Sequence, residues 1–166
     1  MNIILIITFI IFIAFSRFAP HPPNFTPILS IALFSGMVFK NKFIFCIPLG
    51  AMLLSDYYIG FHNSIIWVYV SLLLIYLLGK AFFNYFSTIN IFLLSFLSSV
   101  IFFILSNFGV WLIGYPKTLS GFIACYIAAI PFFTNTLLST ILYSFIFYYG
   151  YKYILKNNKI ISNKTK

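Results

Sequence analysis

The chain has 166 residues, 63% of them hydrophobic and only 7% charged, with ten Lys and Arg against one acid for a net charge of +9. A soluble domain carries about 25% charged residues, so this composition leaves too little polar surface to cover a water-soluble fold. The positive residues sit between apolar runs and at the C-terminus, which is the pattern of a topology signal and excludes a nucleic-acid surface.

Six apolar stretches follow one another: Ile3–Phe15, Pro27–Phe39, Phe43–Leu54, Ile65–Leu78, Ile91–Ser106 and Pro131–Tyr149. Residues 1–15 lack a basic leader and a small-x-small cleavage site before Arg17, so they read as a first span rather than a secretory signal. Several stretches are shorter than the roughly 20 residues of a straight span and are expected to lengthen into uncharged flanks. The third reaches full length only if Asp56 enters its outer end.

The segment Leu119–Ile130 is apolar and precedes Pro131. It reads as a re-entrant or interfacial helix, or as the outer part of a long, kinked sixth helix, because proline removes a backbone donor at that point. A seventh span there would place the lysine-rich tail outside, against the charge rule.

With the N-terminus inside, the inner side holds Lys40, Lys42, Lys80, Lys152, Lys156, Lys159, Lys164 and Lys166, and the outer side holds Arg17 and Lys117. Eight against two is a strong positive-inside bias. The expected fold is therefore all-α, a polytopic six-helix transmembrane bundle with both termini cytoplasmic. Residues 1–152 form one transmembrane domain, and 153–166 form a basic cytoplasmic tail, frayed or lying on anionic headgroups. The expected location is the cytoplasmic membrane of a bacterium.

This topology collects the distinctive polar residues on the outer side, in loops 17–27, 55–63 and 107–118. Both histidines (His21 and His62), the lone Asp56, Arg17, Lys117 and Trp111 lie there. Four prolines stiffen the first loop. Each residue taken singly has a structural role open to it: Trp111 as an interfacial anchor, Asp56 as the partner of Arg17 or Lys117. Taken together, Arg17, His21, Asn24, Asp56, His62, Asn107, Trp111, Tyr115 and Lys117 would line or brace a small-ligand pocket. Asn135, beside Thr134 and Thr136 in the last span, either joins two helices or forms the pocket floor.

Other chemistries find little equipment. There is no phosphate-binding Gly-rich loop, so the chain does not hydrolyse ATP itself. One carboxylate cannot form an acid/base pair. Ser55, Asp56 and His62 supply the residue types of a triad without a nucleophile elbow. His21, His62 and Asp56 lack metal-ligand spacing, and no cofactor is expected. Cys46 and Cys125 both lie in apolar runs and read as packed thiols.

The motifs Arg17-Phe-x-Pro-His-Pro-Pro-Asn-Phe-Thr-Pro27, Ser55-Asp-x-x-x-Gly-Phe-His62, Asn107-Phe-Gly-Val-Trp111, Tyr115-Pro-Lys-Thr118 and Cys125-Tyr-x-x-x-Ile-Pro-Phe-Phe133 resemble the landmarks of a family of small uncharacterised membrane proteins assigned to transport. The size, the six spans and the inside termini are also distantly similar to the S-components of energy-coupling-factor vitamin transporters. That resemblance implies a vitamin or related micronutrient bound near the outer face, with separate ATPase and coupling subunits as partners beside the lipid bilayer. Many S-components dock their partner through Ala-x-x-x-Ala in the first helix. Here only Ala14 and Ser16 are small near its end, and Ala32-x-x-x-Gly36 is the candidate substitute. Two other classes stay open: a membrane enzyme with an outer-face His62/Asp56 site, and a structural or assembly subunit of a membrane complex.

Overall fold

The computed structural model describes residues 10–164 except 12 and 19, and side chains 42 and 157–164 are not described. Most of the expected first span, Ile3–Phe15, lies outside the described residues, as do Thr165 and Lys166. The described part of that span is helical up to Ser16. Five further helices follow: α1 (Ile28–Val38), α2 (Cys46–Ile59), α3 (Ile65–Ala81), α4 (Thr88–Gly114) and α5 (Leu119–Lys164). A short 3-10 turn, Lys42–Phe45, precedes α2, and no strand occurs among the described residues.

Local chemistry sets the boundaries. Ser87 accepts from the Asn90 amide at 3.1 Å and opens α4. Thr118 Oγ1 accepts from the Gly121 amide at 3.1 Å and opens α5. Both are side-chain caps on orphan N–H groups. Gly60, at φ 111°, ends α2 in a conformation that favours glycine.

Four stretches lengthen, α2 by taking in Asp56, although α2 and α3 stop at 14 and 17 residues. Two expectations need correction. The span α1 stays at 11 residues, about 17 Å, because Pro27 and extended Phe39 bracket it. The third loop shrinks, because residues 107–114 continue α4 and only 115–118 remain between helices.

Of the readings for Leu119–Ile130, the structure selects the one that makes it the N-terminal part of the last helix. The helix α5 runs unbroken for 46 residues with Pro131 inside it. The tail beyond residue 152 continues that helix to Lys164.

Among the described residues, two helices are long and apolar enough to cross a membrane: Thr88–Gly114 and the Leu119–Lys156 part of α5. Only 28% and 22% of their most apolar windows are buried. The exposed residues include Leu93, Phe96, Leu97, Ile127, Leu138 and Leu142. Apolar helices whose apolar surface points away from the protein suit a lipid surround rather than water.

The core is built on close backbone approach and small hydroxyls. A Cβ at Gly36 would collide with the carbonyl oxygen of Tyr76, and one at Gly79 with that of Leu33. The helices α1 and α3 thus touch backbone to backbone, as small residues permit in membrane bundles. The proposed docking stripe Ala32/Gly36 is buried in this internal contact, so it is not free to receive a partner helix. Ser30 Oγ donates to the Thr140 carbonyl at 2.9 Å and ties α1 to α5. Phe34 packs against Phe86, Phe147 and Tyr151.

The loops sort to two ends. Residues 20–27, 60–64 and 115–118 border common cavities at one end. At the other, the Asn84 amide donates to the Met37 carbonyl at 3.2 Å, beside the Lys40–Lys42 turn.

Candidate functional site

The chain's one carboxylate is settled first. Asp56 is 2% exposed on α2. Its Oδ1 accepts from Arg17 Nη1 at 2.7 Å, and its Oδ2 accepts from the Tyr69 hydroxyl of α3 at 3.0 Å. Arg17 Nη1 also donates to Ser55 Oγ, and Ser55 hydrogen-bonds back to the Ala51 and Met52 carbonyls, both at 2.9 Å. A buried carboxylate is tolerable only when paired and hydrogen-bonded, and here both oxygens are engaged. Of the two cations open to Asp56, the partner is therefore Arg17.

The first loop is pinned to α5. The Asn135 Nδ2 donates to the Pro23 carbonyl at 3.1 Å, and Ser139 Oγ to the Asn24 carbonyl at 3.4 Å. Asn24 sits at φ 62°, a left-handed conformation that asparagine tolerates better than most residues. Asn135 therefore joins helix to loop and does not line the pocket. Asn135→Leu should cost about 1 kcal/mol in thermal unfolding, the net worth of one hydrogen bond.

Between the pinned loop and α3, α4 and α5 lies a cavity of about 350 Å³. Asn24, His62, Ser64, Asn107 and Tyr115 give it polar edges, and Phe102, Phe103, Phe132, Phe133 and Val68 give it apolar walls. A smaller cavity of about 170 Å³ is bordered by Arg17, His21, Thr26 and Met52. Asn24, Val68, Phe102 and Thr136 border both, so the two adjoin.

Six of the expected site residues thus reach a cavity wall: Arg17, His21, Asn24, His62, Asn107 and Tyr115. Asp56 stands behind Arg17. Trp111 and Lys117 border neither cavity. The Trp111 indole donates to the Pro116 carbonyl at 3.1 Å, and Lys117 Nζ donates to the carbonyls of Trp111 at 2.7 Å and Tyr115 at 3.0 Å. The Lys117 ammonium also lies 5.3 Å from the Trp111 ring centroid. This lysine neutralises the carbonyl end of α4, where helix dipoles favour a cation. The two residues brace the turn that carries Tyr115.

Residues that the loop-based reading missed lie on helices. Ser106, Cys125 and Thr136 face the larger cavity alongside the phenylalanines. The available signal was helical spacing: Phe102, Ser106 and Val110 recur every four residues on α4, and Cys125, Ala129, Phe132 and Thr136 every three or four on α5.

The triad residue types do not assemble. Asp56 and Ser55 are committed to Arg17, while His62 Nδ1 lies 3.1 Å from Ser64 Oγ. Among the described residues, no three His, Cys, Asp or Glu side chains gather as a metal site would need. Cys125 is buried, but Cys46 is exposed at the start of α2, contrary to its reading as a packed thiol.

The architecture is that of an all-helical protein with apolar outward faces and a polar-edged cavity at one end. Its sequence matches the profile of a family of unknown function, DUF6580, over residues 1–162, and the chain belongs to that family. No curated protein and no solved structure matches it.

Proposed function

We propose that this is a six-span protein of the bacterial cytoplasmic membrane with both termini inside, and that it takes up a small molecule in the manner of a vitamin-transport S-component. The observation that carries the reading is the one-ended cavity: loops from three parts of the chain meet around about 350 Å³ of space. The positive-inside bias assigns that end to the outside. A concave site with apolar walls and a few polar groups is the usual form of a small-ligand pocket. An assembly subunit without a ligand would have filled this end with side chains. ATPase and coupling subunits, supplied as separate chains, would dock elsewhere than the buried Ala32–Gly36 stripe.

Topology and transport are tested separately. In a Cys46→Ser/Cys125→Ser background, a membrane-impermeant maleimide should label Phe61→Cys in intact cells, and Tyr85→Cys only after lysis. Both positions are exposed, at 63% and 65%. The reverse pattern overturns the orientation. For transport, a small molecule released from the purified protein is identified by mass spectrometry and offered to cells with and without the protein. Faster accumulation in the expressing cells is expected, and equal accumulation overturns the reading.

A further inference from the structure

We infer that the joined cavities select an organic monocarboxylate, with its acid group at Arg17 and an apolar, ring-bearing body against the phenylalanine walls. The inference rests on reading these cavities as a ligand site and names the class of ligand.

The charge pattern carries it. The ionisable side chains bordering the two cavities are Arg17, His21, His62, Tyr115 and Cys125. None is a carboxylate. The chain's single carboxylate side chain, Asp56, borders neither cavity and has both oxygens occupied. Ligands therefore meet only basic or neutral groups, and a cation would find no counter-charge.

Arg17 adds a specific receptor. Its contacts to Asp56 and Ser55 both use Nη1. Among the described residues, its other guanidinium N–H groups have no protein partner, and the residue borders the smaller cavity. Asp56 thus orients Arg17 without consuming its donors. A guanidinium offers N–H pairs that match a carboxylate bidentately. A neutral ligand would leave those donors unpaired in a partly buried site, which is costly. One arginine is too little for a dianionic phosphate ester, so a monoanion is the better match. The adjoining larger cavity has room for the body of the molecule, against Phe102, Phe103, Phe132 and Phe133.

The test uses one skeleton in three charge states: indole-3-acetate, indole-3-acetamide and tryptamine. Each is titrated calorimetrically into the full-length protein in nanodiscs. The acid should bind about tenfold tighter than the amide or more, as one charge-assisted pair allows, and tryptamine weakest. Arg17→Gln should erase the acid's advantage over the amide. Should Arg17→Gln not fold, Arg17→Gln/Asp56→Asn removes both charges together and should give the same loss of preference. An amide that binds as well as the acid, or a tighter amine, overturns the inference and leaves small-molecule uptake standing. Acid preference that survives loss of Arg17 overturns it as well. Failure of all three to bind also sinks it, and uptake is then judged by the released-ligand experiment alone.

Discussion

Asp56→Ala should destabilise the folded protein by about 3 kcal/mol, the low end of the cost of breaking a buried ion pair by removing one partner. The substitution leaves Arg17, whose side chain is 20% exposed, without its counter-charge, and the Tyr69 hydroxyl without its acceptor. The damage extends beyond one bond. Asp56 sits on α2, Arg17 just after the leading helical segment, and Tyr69 on α3, so one carboxylate joins three parts of the chain beside the smaller cavity. Arg17→Gln/Asp56→Asn should regain most of the loss, since an uncharged pair leaves no buried charge uncompensated. Thermal unfolding in nanodiscs measures both. If Asp56→Ala melts like wild type, the ion pair does not hold these elements together.

Gly79→Leu should be the most damaging single substitution in the helical core, at about 3 kcal/mol or more, the upper end of overpacking costs. Its Cβ would meet the Leu33 backbone, and backbone cannot rotate aside as a side chain can. The helices α1 and α3 would have to separate along their length, which would open the Phe34 aromatic cluster beside them. Gly150→Leu is the control, since nothing lies within 4 Å of an added Cβ there. Recovery of monodisperse protein after extraction separates the two. Equal recovery would mean that α1 and α3 do not need their close contact.

Much of this protein was legible before any fold was known. Helical class, element order and the meeting of three polar loops at one end followed from apolar runs and the placement of lysines. Both signals are local, because lipid demands long apolar helices and membranes sort positive charge. Boundaries were read less well. The residues from Asn107 to Gly114 looked like loop because they mix Asn, Gly and Trp, yet α4 carries them as its last two turns, where lost propensity is offset by packing of Trp67 on Gly109. Pro131 left open a separate helix before it or one long helix through it, and α5 is the latter.

The site divides in the same way. Sequence alone determined that the chain has one carboxylate, that basic and aromatic residues crowd three loops, and that no nucleotide motif is present, because these are matters of inventory. Tertiary structure alone decided which cation Asp56 takes, that Asn135 anchors a loop instead of flooring a pocket, and that Trp111 and Lys117 brace a helix end. Only the fold showed that phenylalanines and hydroxyls of α4 and α5 form the cavity walls. Those roles depend on which helix faces meet. That in turn is set by glycine contacts such as Gly36 and Gly79 between residues far apart in the chain, a relation that no local pattern encodes.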